Sequence, residues 1–441
     1  MAWQKKLFKL VGAKNNLASF FILLTYSILG FKFLRFIWRF SENVLFWDQW
    51  DTFDAVLVNN NLTQVFLFQN NEHRMGVPLL IIKLMAHLTN WNVRFETFLI
   101  GLVIFTSAIL ALILKKRLTK KLEIYDIIIP FLFLNLYQWE NLIWGISFAF
   151  ILPILWLLIT VYLFTLRDSL LRNINLILIT ILATYTHLHG LFIGIITSIF
   201  FLMNLHNTSN INLKKKYLAL FLFNILAMVT YFINFQSSKF LGVDKINLGE
   251  LFLYFAYQIN GFIGNYSKHL VLVSITPIIA VFTFGHLLIK SFQKKTIIDN
   301  FPIIAFYAFS FLFIVTTAYG RIGIGLDSAY QSRYVTLIIP LYFGIYLYFL
   351  SINNLHFKGS LSFFIFIFFI FISAQNNHFN YVYAENRKIS LANWKQCYLE
   401  HESLDFCERT AGYIIYHSPK NINLESKLHY LKTHRLNFYS E

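Results

Sequence analysis

Residues 46–54 read FWDQWDTFD and set three carboxylates among bulky aromatic neighbours, in a chain of which only 13% is charged. Asp48 and Asp51 are three apart, so a helix through them carries both on one face. Phe46, Trp47, Trp50 and Phe53 suit a membrane–water boundary, where aromatic side chains collect. A carboxylate in such a half-apolar pocket has its ionised form disfavoured. That raises its basicity toward use as a general base. The same spacing also fits an ordinary helix start, with Asp48 as N-cap and Asp51 as the acid three residues on. Spacing leaves both readings open.

Four further stretches gather polar chemistry. QNNEHRMGVPLL, residues 69–80, offers an asparagine pair able to cap a helix that begins near Pro78. That leaves Glu72, His73 and Arg74 to explain. Arg74 has the forked donors that clamp a phosphate, and His73 can donate to a phosphate or shuttle a proton. The plainer alternative is a solvated turn with a local Glu–Arg pair. YQWENLIWG, residues 137–145, sets Glu140 between two tryptophans. THLHG, residues 186–190, carries His187 and His189 two apart, a spacing that points them apart on a strand or a helix and suits a metal poorly. One of them lining a wet cavity is the better reading. AYGRIGIGLDSAYQSRY, residues 318–334, supplies Arg321 and Arg333. Its GRIGIG follows no strand and opens no helix, which rejects a nucleotide loop. Two arginines at a membrane surface suit a lipid phosphate. Otherwise Arg321 pairs with Asp327 and Arg333 extends to water.

The elements that must position these residues are membrane helices. Hydrophobic residues make up 57% of the chain and aromatics 19%, more than a soluble core uses. The apolar runs approach or reach the roughly 20 residues that cross a bilayer, and every backbone amide in lipid must be satisfied within its own segment. The expected fold is an all-α polytopic membrane protein of about eleven helices, near 17–38, 97–114, 124–138, 145–166, 173–187, 190–205, 217–235, 269–290, 301–318, 335–351 and 360–374. The net charge of +16 does not mark a nucleic-acid binder, because the lysines and arginines lie in short clusters between apolar runs. Such clusters stay cytoplasmic. They place the N-terminus inside, the acidic stretch in an outer segment 39–96 with short helices, and a polar tail 376–441 outside. Residues 1–375 then form the membrane domain. Cys397 and Cys407 in the outer tail are placed to form a disulfide.

In its order of helices, its acidic first outer loop and its later NEHR, QWEN and QSRY stretches, the chain resembles the GT-C superfamily of membrane glycosyltransferases. It resembles in particular the bacterial glucosyltransferases that decorate O-antigen in lipopolysaccharide of the cell envelope. The resemblance covers helices one to ten. It implies a bacterial inner-membrane enzyme that takes a sugar from a polyprenyl-phosphate-linked donor and passes it to a glycan or lipid acceptor on the extracytoplasmic face. Asp48 or Asp51 would be the catalytic base. Arg74, His73, Arg321 and Arg333 would serve the donor phosphate, and Glu72, Glu140, His187 and His189 would be auxiliary or acceptor-binding. Some members use a divalent cation (Mg or Mn) and others do not, so the resemblance leaves a metal open. The competing expectations are a transporter or flippase for a lipid-linked glycan, with charges near the midplane and broken helices, and an O-antigen polymerase or ligase leaning on the arginine loop.

Overall fold

The computed structural model describes residues 16–236, 247–262, 270–352 and 380–440. The expected eleventh helix, 360–374, and the basic start of the chain lie outside these residues. Within them the protein is essentially all-α, with one two-residue hairpin as its sheet. Chain order gives α1 Asn16–Phe40, the short α2 Asp48–Asp51 and α3 Leu62–Phe66, and the hairpin β1 Gln69–Asn70 and β2 His73–Arg74. Then come α4 Gly76–Thr89, α5 Val93–Thr119, α6 Ile128–Phe133, α7 Trp139–Leu142, α8 Phe148–Phe164 and α9 Leu170–Thr184. They are followed by α10 Gly190–Asn207, α11 Ile211–Val229, α12 Leu248–Asn260, α13 Leu270–Gln293, α14 Ile297–Arg321 and α15 Ser332–Ser351. After the undescribed stretch, α16 covers residues 380–401, followed by α17 Leu404–Ala411 and α18 Leu424–Thr433.

Among the described residues, 8 helices are long and apolar enough to cross a membrane, and they coincide with eight of the expected spans. Two expected spans differ. The fifth is α9, a 15-residue apolar helix. The third is a broken run, in which α6 holds only 6 residues, or about 9 Å of helix. Its sequence explains the break. Asn135 accepts from the Tyr137 amide at 3.0 Å and donates to the Leu132 carbonyl, and Gln138 Nε2 donates to the Phe133 carbonyl at 2.7 Å. These side chains compete with the helical ladder. Irregular backbone at membrane depth survives where protein encloses it. Here α15 does so: Thr336 Oγ1 donates to Gln138 Oε1 at 2.8 Å, and Asn141 Nδ2 donates to the Arg333 carbonyl at 2.8 Å.

The polar residues separate to two ends of the bundle. At one end Arg117 donates to Thr165 Oγ1 at 2.6 Å, Lys216 meets Asp168 at 2.7 Å, and Arg172 reaches the same carboxylate at 2.8 Å. Lys115, wholly buried, meets the equally buried Asp126 at 2.7 Å, and Tyr346 of α15 donates to the other oxygen of Asp126 at 2.5 Å. The loops expected to be basic and cytoplasmic therefore share one end. At the other end the Val77 amide donates to the Tyr185 carbonyl at 2.9 Å, and Trp144 Nε1 donates to the Phe46 carbonyl at 3.1 Å. That end carries α2, the hairpin, the α9–α10 turn and the start of α15.

The tail docks on this second end. The Asn437 amide donates to the Asn90 carbonyl at 2.7 Å, and Asn437 Nδ2 donates to Asn43 Oδ1 at 2.9 Å. Asn43 Oδ1 also accepts from the Val93 amide at the start of α5. Cys397 of α16 and Cys407 of α17 form a disulfide.

Breaking the Lys115–Asp126 pair tests the basic end. Lys115→Met strands a buried carboxylate and should cost about 3–5 kcal/mol, whereas Lys115→Met with Asp126→Asn should recover part of that loss. Thermal melts of the purified protein in detergent, followed by tryptophan fluorescence, give the comparison.

Candidate functional site

Helix α2 is the tetrapeptide DQWD. Gln49 and Trp50 turn into the protein, where Trp50 Nε1 donates to the Leu45 carbonyl at 3.0 Å and Gln49 Oε1 accepts from the Phe46 amide at 3.2 Å. Asp48 and Asp51 are left on the more open side, as their spacing requires. The residue before the helix is Trp47, not Asp48, with φ at 49° and no capping side chain. The N-cap alternative for Asp48 therefore fails. A left-handed tryptophan is held there because its amide donates to the Ile415 carbonyl at 2.9 Å and its ring lies against His417, with centroids 5.6 Å apart.

Tail residues complete the surroundings of both aspartates. Tyr416 donates to Asp51 Oδ1 at 2.6 Å, and Lys427 donates to the Trp50 carbonyl at 2.8 Å. Burial pushes the Asp48 carboxyl above the usual carboxylate range, and the neighbouring charge of Asp51 adds to it. Arg333, His417 and Arg321 oppose the rise without cancelling it. Asp48 is thus a carboxylate of enhanced basicity within the field of two arginines.

Arg333 stands at the second position of α15, and Glu140 puts it there. Glu140 Oε2 accepts from Ser332 Oγ and from the Arg333 amide, each at 3.2 Å, while the Glu140 amide donates to Ser332 Oγ at 3.1 Å. An acid at a helix start also suits the helix dipole. Glu140 is accordingly a bracket for the α15 start. Arg321 ends α14. Neither guanidinium has an ion pair or hydrogen bond among the described residues, so Arg321 does not pair with Asp327.

The hairpin sorts the residues of its motif apart. Arg74 is buried and aims its guanidinium at the carbonyls of Tyr231, Leu67 and Ile233. It ties the hairpin to the end of α11 and is not brought to the aspartates. Glu72 presents its carbonyl to the Tyr231 hydroxyl. Asn70 and Asn71 make the hairpin turn, and the helix start belongs to Met75, so the asparagines do not cap α4.

His73 instead stacks on His187, with centroids 3.8 Å apart, and His187 lies 4.4 Å from His189. Two histidines two apart share this stack because they sit in a tight turn. A Cβ on Gly190 would fall 1.7 Å from the Ala183 carbonyl, so only glycine allows the chain to double back there. Burial holds all three imidazoles neutral, with His73 pushed down to about 3 and Arg321 depressing each further. Among the described residues no three His, Cys, Asp or Glu side chains converge as a metal site.

Sequence reasoning missed Tyr416, His417 and Lys427, which stand more than 360 residues from the motif they touch. It also missed the role of Glu96. This carboxyl is 1% exposed, and its Oε2 would lie 2.0 Å from a Cβ on Gly145. An acid opening an otherwise apolar helix was the available signal.

Neutralising Asp48 and removing the hydroxyl that holds Asp51 should shift stability in opposite directions. Asp48 has a raised pKa, so the fold favours its protonated form and loses stability as pH rises through that pKa. Asp48→Asn should melt above wild type, by a margin that grows from acid to neutral pH. Tyr416→Phe should melt below it by about 1.5 kcal/mol, the low end for a hydrogen bond to a partly solvated charge. Melting curves across pH give both signs.

No protein-family model, no curated protein and no solved structure matches this chain.

Proposed function

We propose that this protein is a membrane glycosyltransferase. It would move a hexose from a polyprenyl-phosphate-linked donor to a glycan or lipid acceptor on the extracytoplasmic face of a bacterial inner membrane. The observation that carries this reading is Asp48, a desolvated carboxylate in the field of two arginines whose guanidinium groups have no ion pair or hydrogen bond among the described residues, at one end of a polytopic helical bundle. In this scheme Asp48 removes the proton of an acceptor hydroxyl, which attacks the anomeric carbon. Its raised basicity and its position among aromatic rings suit that task. Charge develops on the departing phosphate, where Arg321 and Arg333 stabilise it without reorganising. Asp51, held by Tyr416, lies beside Asp48 and adds to that basicity. Arg74 and Glu140 act as positioning residues. With the basic end cytoplasmic, as the positive-inside rule expects, this basin faces outward. Transfer requires no metal in this scheme.

One observation favours a second reading. The broken run 124–147, with buried Asn135, Gln138 and Asn141 against α15, has the discontinuous character of transporter helices. A lipid-linked glycan flippase would use it.

Surface glycans profiled by mass and linkage separate the two. In a strain with the gene deleted, the transferase reading predicts loss of one sugar, restored by wild type and by Arg74→Lys. Asp48→Ala should reach the membrane and restore nothing, a drop of at least about 100-fold for a lost general base. Lipid-linked glycan stranded on the inner leaflet would establish the flippase instead. The rate of transfer should fall on the acid side through a pKa above the ordinary aspartate value of about 4.

A further inference from the structure

The transfer chemistry leaves the imidazole stack without a task, yet the fold goes to some length to build it. His73 comes from β2, and His187 and His189 from the α9–α10 turn. His187 is 2% exposed and His189 6%. The Nδ1 atoms of all three are buried without a partner. A buried nitrogen left without a partner is destabilising, and phenylalanine would pack as well with no orphan. The walls are apolar: Phe150 of α8 lies 4.9 Å from His187, and Phe313 of α14 lies 4.8 Å from His189. From the hairpin side the charged neighbours are Arg74, spent on three carbonyls, and Glu72. From α14 the charged neighbour is Arg321, whose field reaches all three rings and also Asp48. From α8 and from α10, where Phe192 packs on His189, no charge faces the stack.

We propose that Arg321 and the stacked His73, His187 and His189 form the seat of a phosphate monoester, and that a dianion bound there draws one proton onto the stack. The proposal rests on the transferase reading for its place in the reaction. The donor phosphate is a diester with one negative charge. The acceptor O–H gives its proton to Asp48, the new C–O bond forms, and the bond from the anomeric carbon to the phosphate oxygen breaks with its electron pair left on that oxygen. The lipid phosphate becomes a monoester dianion. The extra negative charge offsets the Arg321 field at the rings and gives an imidazolium a charged partner, which works against the burial that kept them neutral. One imidazole then binds a proton from solvent and returns it when the lipid phosphate leaves. A neutral stack therefore receives the singly charged donor, and a charged stack holds the product.

The test is calorimetry on the full-length protein in detergent with EDTA, near neutral pH. The probes are farnesyl phosphate, its methyl diester, and inorganic phosphate, each in two buffers of different ionisation heat. The expected result is uptake of close to one proton with farnesyl phosphate and none with the diester. Competition by inorganic phosphate at comparable concentration would assign the seat to phosphate alone. Its failure to compete, with farnesyl phosphate still bound, would assign it to the lipid headgroup. His187→Phe preserves the ring packing, and it should abolish proton uptake and weaken farnesyl phosphate at least about tenfold. Arg321→Gln, outside the stack, should remove the preference for the monoester whether or not His187→Phe folds. Equal proton balance for monoester and diester, or unchanged uptake in a folded His187→Phe, overturns the proposal. Uptake in a protein that transfers no sugar would keep the seat and discard the transferase, and transfer without uptake would do the reverse.

Discussion

The main-chain hydrogen bond from Trp47 to Ile415 is the contact on which the polar end depends. It holds a tryptophan in the left-handed region, where a bulky residue is rare. That conformation starts α2 one residue before Asp48 would have capped it. The helix then buries Gln49 and Trp50 and leaves the two carboxylates on its open side. Tyr416 and Lys427, both beyond Ile415 in the tail, fasten Asp51 and the Trp50 carbonyl. Without the tail α2 has four residues and no reason to persist, since so short a helix is not stable by itself. The acidic motif is thus a property of the two ends of the chain together.

The bundle beneath is held by buried polar contacts at both ends of its helices. At the basic end Lys115, Asp126 and Tyr346 join α5, the broken run and α15. At the other, Glu140 and Asn141 return from the same broken run to fix the first turn of α15 and so the position of Arg333. One irregular segment therefore connects the anchors of the basic end to the arginine of the site. Hydrophobic packing alone would leave such helices free to slide in lipid, where apolar contacts between helices carry no solvent driving force.

Much of the scaffold was legible from residue pattern. Eight expected spans, the short helices of the first loop and the Cys397–Cys407 link stand in the structure. The third span was misread because hydropathy averages over Asn135 and Gln138, whose side chains break the helix. α12 was missed within an expected loop because its apolar face is only one side of 13 residues. At the site, the side-by-side placement of Asp48 and Asp51 followed from spacing, whereas residue type left open whether Arg321 pairs with Asp327. Arg74 was misread because its three carbonyl partners come from the ends of distant segments. The packing of His187 beside His189 escaped helical and strand geometry alike, since a glycine-dependent turn belongs to neither.

The central claim is that Asp48, within the field of Arg321 and Arg333, is the base of a sugar transfer from a lipid phosphate. The most direct measurement is single-turnover transfer by the purified protein, with a radiolabelled polyprenyl-phosphate hexose and membrane glycolipid acceptors, comparing wild type, Asp48→Asn and Asp51→Asn. The account predicts a labelled acceptor with wild type, little with Asp48→Asn although the donor still binds, and partial rate with Asp51→Asn. Full rate with Asp48→Asn, or no labelled acceptor from a wild-type protein that binds the donor, would contradict it.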